Sequence, residues 1–196
     1  MRKRTLRFFP KKKWKQIALI IFIVAIVVIA ALLSYAYSVI NTEVVSDVNI
    51  INVAGQRTAL VIYQPAVTDF PVEVARAFAD GLALSDWRVE VTTASSQAPS
   101  NISSYGLLAI VFPIYAGSIP APIARYLDRV GNLQGTDVAI IGCGAGAEAG
   151  TITTLSNRVQ EANGTIRQTL ALYTLAPNAG GGTPTDIARQ TGRNIT

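Results

Sequence analysis

The chain has 196 residues, 50% of them hydrophobic and 15% charged, with a formal charge of +5. Disorder requires low hydrophobicity and high net charge, so this composition excludes a disordered or low-complexity protein. One cysteine excludes a disulfide framework or a Cys-cluster metal site. The absence of histidine excludes a Ser-His-Asp triad, a Cys-His pair or a His-ligated zinc within this chain.

Residues 1–15 hold eight of the seventeen cations, every lysine among them, and no acid. The rest of the chain sets nine arginines against twelve acids. The basic residues thus form one block beside an apolar run, which disfavours nucleic acid as a partner. The block suits a topology signal that also attracts anionic lipid headgroups.

The apolar run follows at once. All seventeen residues from 17 to 33 are apolar, and no charge falls between Lys15 and Glu43. Continued through Tyr35, Tyr37 and Ile40 it makes 24 residues, about 36 Å of helix at 1.5 Å per residue. That crosses a hydrocarbon core of ~30 Å with some tilt. Trp14 and the Tyr35/Tyr37 pair stand where interfacial aromatics are expected. A cleaved signal peptide is the competing reading, with Ser34 and Ala36 at the cleavage site, but apolar cores of that kind run about 7–15 residues. The expectation is an uncleaved single-pass span over residues 16–40, with a basic cytoplasmic arm at 1–15 and the C-terminal part extracytoplasmic.

Residues 41–56 predict a tether ending in a turn at Gly55, with enough valine and isoleucine for part of it to pair or pack. Beyond it, apolar runs alternate with amphipathic stretches. Strands are predicted at residues 58–63, 87–92, 107–112, 137–142 and 165–173. The first, third and fourth are nearly continuous apolar runs, as strands covered on both faces should be. The second alternates Trp87, Val89 and Val91 with Arg88, Glu90 and Thr92, the pattern of an edge strand. Helical stripes appear at Val74/Phe78/Leu82, at Ile123/Leu127/Val130 before Gly131, and at Ile152/Leu155/Val159/Ala162 before Asn163-Gly164. Residues 93–104 are too polar for a core helix. A Gly/Pro loop at 177–184 and a terminal helix at 185–193 complete the chain. This alternation predicts an α/β fold, a doubly wound parallel sheet whose ligand sites lie at the carboxyl ends of the strands. The loops to inspect are therefore 64–71, 113–121 and 142–151.

Residues 105–122 (YGLLAIVFPIYAGSIPAP) resemble the third strand and following loop of the flavodoxin-like family: a tyrosine, an apolar strand, Pro-x-Tyr-Ala-Gly-x-x-Pro and an amphipathic helix. The likeness extends over residues 57–195 in strand order and spacing, and includes a glycine-rich loop after the fourth strand. It implies a flavodoxin-like, five-stranded parallel sheet in order 2-1-3-4-5, preceded by a single transmembrane helix, with the domain at 57–196. It also implies a flavin mononucleotide (FMN) held by three loops. Pro113, Tyr115, Ala116 and Gly117 would lie beside the isoalloxazine ring, with Tyr115 stacking on it. Gly142, Gly144 and Gly146 would let the backbone approach the flavin's edge.

Two features of these loops stand apart from that pattern. Gly142, Gly144 and Ala147 formally match a dinucleotide fingerprint, but the run follows the fourth strand and lacks the acid about twenty residues on. Cys143 is simplest as a small residue at a strand end. In the first loop, where the family cradles phosphate with hydroxyls and a glycine at a helix N-terminus, only Thr68 keeps a hydroxyl; Asp69 takes the glycine position and Pro71 the last hydroxyl position. Asp69 is expected to cap the helix, and Pro71 removes an N–H donor. Two functions are therefore carried forward: FMN-dependent electron transfer to a redox partner, and a flavin-free scaffold or accessory subunit of a membrane complex.

Overall fold

A computed structural model describes residues 11–115, 117–146 and 150–195. The chain divides into two compact units, residues 1–38 and 39–196. In the first, helix α1 (Lys11–Asn41) begins; its apolar stretch has the length and composition to cross a membrane, with its side chains exposed.

The second unit is built on a six-stranded sheet: β1 (Asn49–Ile51), β2 (Arg57–Tyr63), β3 (Trp87–Thr93), β4 (Leu107–Pro113), β5 (Asp137–Gly144) and β6 (Thr165–Tyr173), in spatial order β1-β3-β2-β4-β5-β6. The five strands from β2 onward are parallel and stand in the predicted order. One expectation is corrected. The strand over Trp87–Thr93 is not the edge, because β1 pairs with it antiparallel, Asn49 opposite Val91 and Ile51 opposite Val89. This strand comes from the tether and has only three residues, too few for any periodicity to announce it. Its return depends on Gly55: a Cβ there would lie 2.2 Å from the Arg88 backbone nitrogen, so only glycine lets the turn lie against β3.

Helices cover both faces. α2 (Phe70–Ala83) and α5 (Pro184–Arg193) pack on one side, where Val74, Phe78 and Leu82 meet Ala59, Val61 and Val89. α3 (Ala121–Val130) and α4 (Thr151–Glu161) cover the other, with Ile123, Leu127, Leu155 and Val159 against Leu60, Ile110 and Ile140. The stripes read from sequence are the buried ones, since a surface helix must bury its 3.6-period apolar face. α2 and α5 touch backbone to backbone: a Cβ on Gly81 would fall 2.0 Å from the Arg189 carbonyl oxygen, and one on Gly192 would fall 2.3 Å from that of Phe78. The polar stretch after β3 holds no helix; Ala94, Ala98 and Ile102 plug it into the core. Asn163 ends α4 in the left-handed region, and the Gly164 N–H donates to Val159 O, the capping expected of Asn-Gly.

Candidate functional site

The carboxyl ends of β2, β4 and β5 open onto a groove of about 650 Å³. Its walls come from three places. The loop after β2 and the start of α2 give Thr68, Asp69, Phe70, Pro71 and Glu73. The loop after β4 gives Pro113, Ile114 and Tyr115, and the end of β5 gives Cys143, Gly144 and Ala145.

The end of the groove at β4 and β5, where the resemblance would put a flavin's ring (the ring end), is built on extended ladder bonds. The Ile114 N–H donates to Cys143 O at 2.8 Å, so β4 and β5 stay paired beyond the strand end. The chain then turns back: Ser118 N–H donates to Tyr115 O at 3.3 Å, with Gly117 at φ 72°, a conformation glycine adopts without strain. This turn presents the half-buried Tyr115 to the groove. At the end of β5, Gly144 O and Ala145 O accept from Thr174 and Leu175 N–H, which ties the glycine-rich loop to the segment after β6. Asn178 holds that segment in place, accepting from Tyr173 N–H at 2.7 Å and donating to Tyr173 O at 2.9 Å.

Among the residues singled out from sequence, Thr68, Pro113, Tyr115 and Gly144 line the groove together. Gly117 and Gly146 stand in the adjoining turns. Gly142 lies deeper, where a Cβ would come within 2.7 Å of Ile114 Cδ1 and 3.2 Å of Ile152 Cδ1, so it makes room for packing under the groove floor. Ala116 and Ala147 lie outside the described residues. The one cysteine, Cys143, is buried, and desolvation pushes its thiol pKa well up. A thiol kept neutral is a poor nucleophile, which fits a packing role. Sequence reasoning named the loops that hold Phe70, Ile114 and Ala145 without singling those residues out, and it missed Thr174, whose placement depends on a loop path that residue type alone does not set.

The end at the loop after β2, where the resemblance would put the phosphate (the phosphate end), is different in kind. Asp69 and Glu73 are the charged residues lining the groove among those described, and both are exposed. The expected cap is corrected: the Asp69 side chain makes no capping bond, because Asp69 sits at φ −74°, ψ 0°, already helical. A cap residue accepts from the first amides only when its own backbone is extended. Pro71 supplies no N–H in the first turn. The ring end therefore fits a planar aromatic ligand, whereas the phosphate end, with two carboxylates and one hydroxyl, does not fit a dianion.

No protein-family model matches the sequence, and no curated protein matches it by sequence. Solved structures do. A flavodoxin from the domain Archaea matches with TM-score 0.58 over 70% of this chain and 95% of its own, at 14% identity. The fold is flavodoxin-like. An NAD(P)H:quinone oxidoreductase from Methanothermobacter marburgensis matches this flavodoxin-like domain with TM-score 0.51 over 70% of this chain and 98% of its own, at 18% identity. The rubredoxin oxygen:oxidoreductase of Desulfovibrio gigas matches with TM-score 0.59 at 12% identity, over 70% of this chain and 35% of its own.

Proposed function

We propose that this is a membrane-anchored flavodoxin-fold protein that transfers electrons through a flavin held, mainly by its ring, in the carboxyl-edge groove. The observation that carries the reading is the ring end itself, where Tyr115, Pro113, Gly144 and Ala145 line one groove of about 650 Å³. A flat aromatic side chain beside a glycine-rich loop suits a ring that needs one stacking face and backbone close to its edge. A bound flavin supplies the capacity to take up and release one or two electrons. Tyr115 would cover one face of it, Pro113 and Gly144 would confine its edge, and Thr68 would meet the chain beyond the ring. The basic block before the apolar helix supports an N-terminus in the cytoplasm and the domain outside it.

The second reading, a flavin-free scaffold in a membrane complex, is favoured by Asp69, Glu73 and Pro71, which oppose FMN's phosphate. Titrating the purified chain with riboflavin and with FMN separates the two. Saturable quenching of flavin fluorescence supports electron transfer; no binding of either flavin supports the scaffold.

A further inference from the structure

A second site lies away from the groove, where the loop after β3 meets α3. Glu43, the first acid after the apolar span, points its carboxylate into it. Oε1 accepts from the Ser96 N–H at 2.6 Å and from the Ser96 hydroxyl at 2.6 Å. These bonds, aided by the charges of Arg125 and Arg129, hold the Glu43 carboxyl below its ordinary pKa. A cavity of about 200 Å³ opens here, lined by Ser95, Ser96, Arg125, Tyr126 and Arg129 together with Glu43. Arg129 is fixed by donating to Ala98 O at 2.8 Å and by lying over the Tyr126 ring. Ser95 is buried at 1% exposure, and its hydroxyl has no hydrogen-bond partner among the described residues. Two serines and two arginines thus line a space in which the chain's own carboxylate satisfies the Ser96 amide and hydroxyl.

We propose that this is a site for a phosphate oxyanion, which Glu43 occupies as an internal stand-in. A phosphate offers more acceptor oxygens than one carboxylate, enough to reach Ser95 and both arginines as well as Ser96. The site also lies close to a source. Glu43 is two residues beyond the end of α1 at Asn41, and at about 3.5 Å per residue the headgroup region of a membrane crossed by that helix is within reach. Lipid headgroup phosphate and free phosphate share the chemistry; only the choice of lipid rests on the membrane reading. Glu43 is not needed to hold the segment down. Asn41 Oδ1 accepts from Ala121 N–H at 2.9 Å, Gln64 Nε2 donates to Thr42 O at 3.1 Å, and Ser46 bonds with Thr92 and Thr93.

The test uses the full chain in uncharged detergent micelles, with the Ser96 amide followed by NMR. One arm adds inorganic phosphate; another adds phosphatidylglycerol to the micelles, with diacylglycerol as the phosphate-free control. In Glu43→Gln the Ser96 amide should shift saturably with phosphate or phosphatidylglycerol, about tenfold more tightly than in wild type, the change expected for removing one charged competitor. Adding Arg125→Gln should erase the gain. A shift with phosphatidylglycerol alone assigns the lipid as source, and a shift with both assigns the oxyanion in general. No response of Glu43→Gln to either phosphate source, or a response unchanged by Arg125→Gln, overturns the proposal. If Glu43→Gln does not fold, wild type and Arg125→Gln at saturating phosphatidylglycerol carry the same test, and a wild-type amide that does not move overturns it.

Discussion

The two ends of the carboxyl-edge groove belong to one sheet yet differ in chemistry. At the ring end, Tyr115, Ile114 and Gly144 form an apolar, uncharged wall braced by ladder bonds that run past the strands. At the phosphate end, Asp69 and Glu73 place two carboxylates over a helix start whose first turn Pro71 deprives of a donor. The contrast teaches that a fold and the ligand it can hold separate along a single edge. Strand order and core packing fix where a ligand lies, whereas two or three loop side chains fix its charge.

The most disruptive way to break the comparison is to move one end bodily. Gly81→Ala sets a Cβ 2.0 Å from the Arg189 carbonyl oxygen. It should force α2 from α5 and cost about 3 kcal/mol, as severe overpacking does. Urea unfolding should show the loss, and because α2 carries the phosphate end, NMR shifts in the folded fraction should be largest around Gly81 and residues 189–193 and extend to 68–73, sparing 113–115. Next in size, Tyr115→Ala should weaken riboflavin and FMN alike by about 1–2 kcal/mol, the scale of a lost stacking face, as read by fluorescence titration.

A third prediction concerns pH. Burial raises the Cys143 thiol pKa above its ordinary value of 9.0. The unfolded chain gives up this proton at a pH where the folded one keeps it, so the contribution to stability is whole below pH 9 and declines above it. One unit above, the loss from this group should be roughly 1 kcal/mol. Cys143→Ser, compared with wild type across pH 8–10 by urea unfolding, should flatten that part of the decline. Smallest of all, Asp69→Ser should tighten FMN several-fold, since removing an exposed charge beside a dianion relieves a screened repulsion of under about 1 kcal/mol. Riboflavin should be indifferent to the change.

Much of the fold was legible because burial leaves a period in the sequence. The Val74/Phe78/Leu82 and Ile152/Leu155/Val159 stripes and the unbroken runs of β2, β4 and β5 all mark their buried faces. β3 misled for a physical reason. Its half-buried Arg88 and Glu90 pair with each other at 3.0 Å, so an interior strand keeps the alternation of an edge. The site was partly legible. Thr68, Pro113, Tyr115 and Gly144 converge as their loop positions implied, since parallel strands deliver their carboxyl ends to one edge. Asp69's capping role failed because residue type shows the preference for a cap but not the backbone angles that permit it. Gly142 was hard to place because a glycine in sequence does not reveal what approaches it; here it is Ile114 and Ile152.

The central claim is that the groove holds a flavin by its ring and not by its phosphate. Parallel titrations of the full chain with riboflavin and FMN, followed by flavin fluorescence and visible absorbance, test it most directly. The account predicts saturable binding of riboflavin, with FMN no tighter. FMN binding much more tightly than riboflavin would contradict the charge argument at Asp69 and Glu73, and binding of neither would contradict the flavin reading itself.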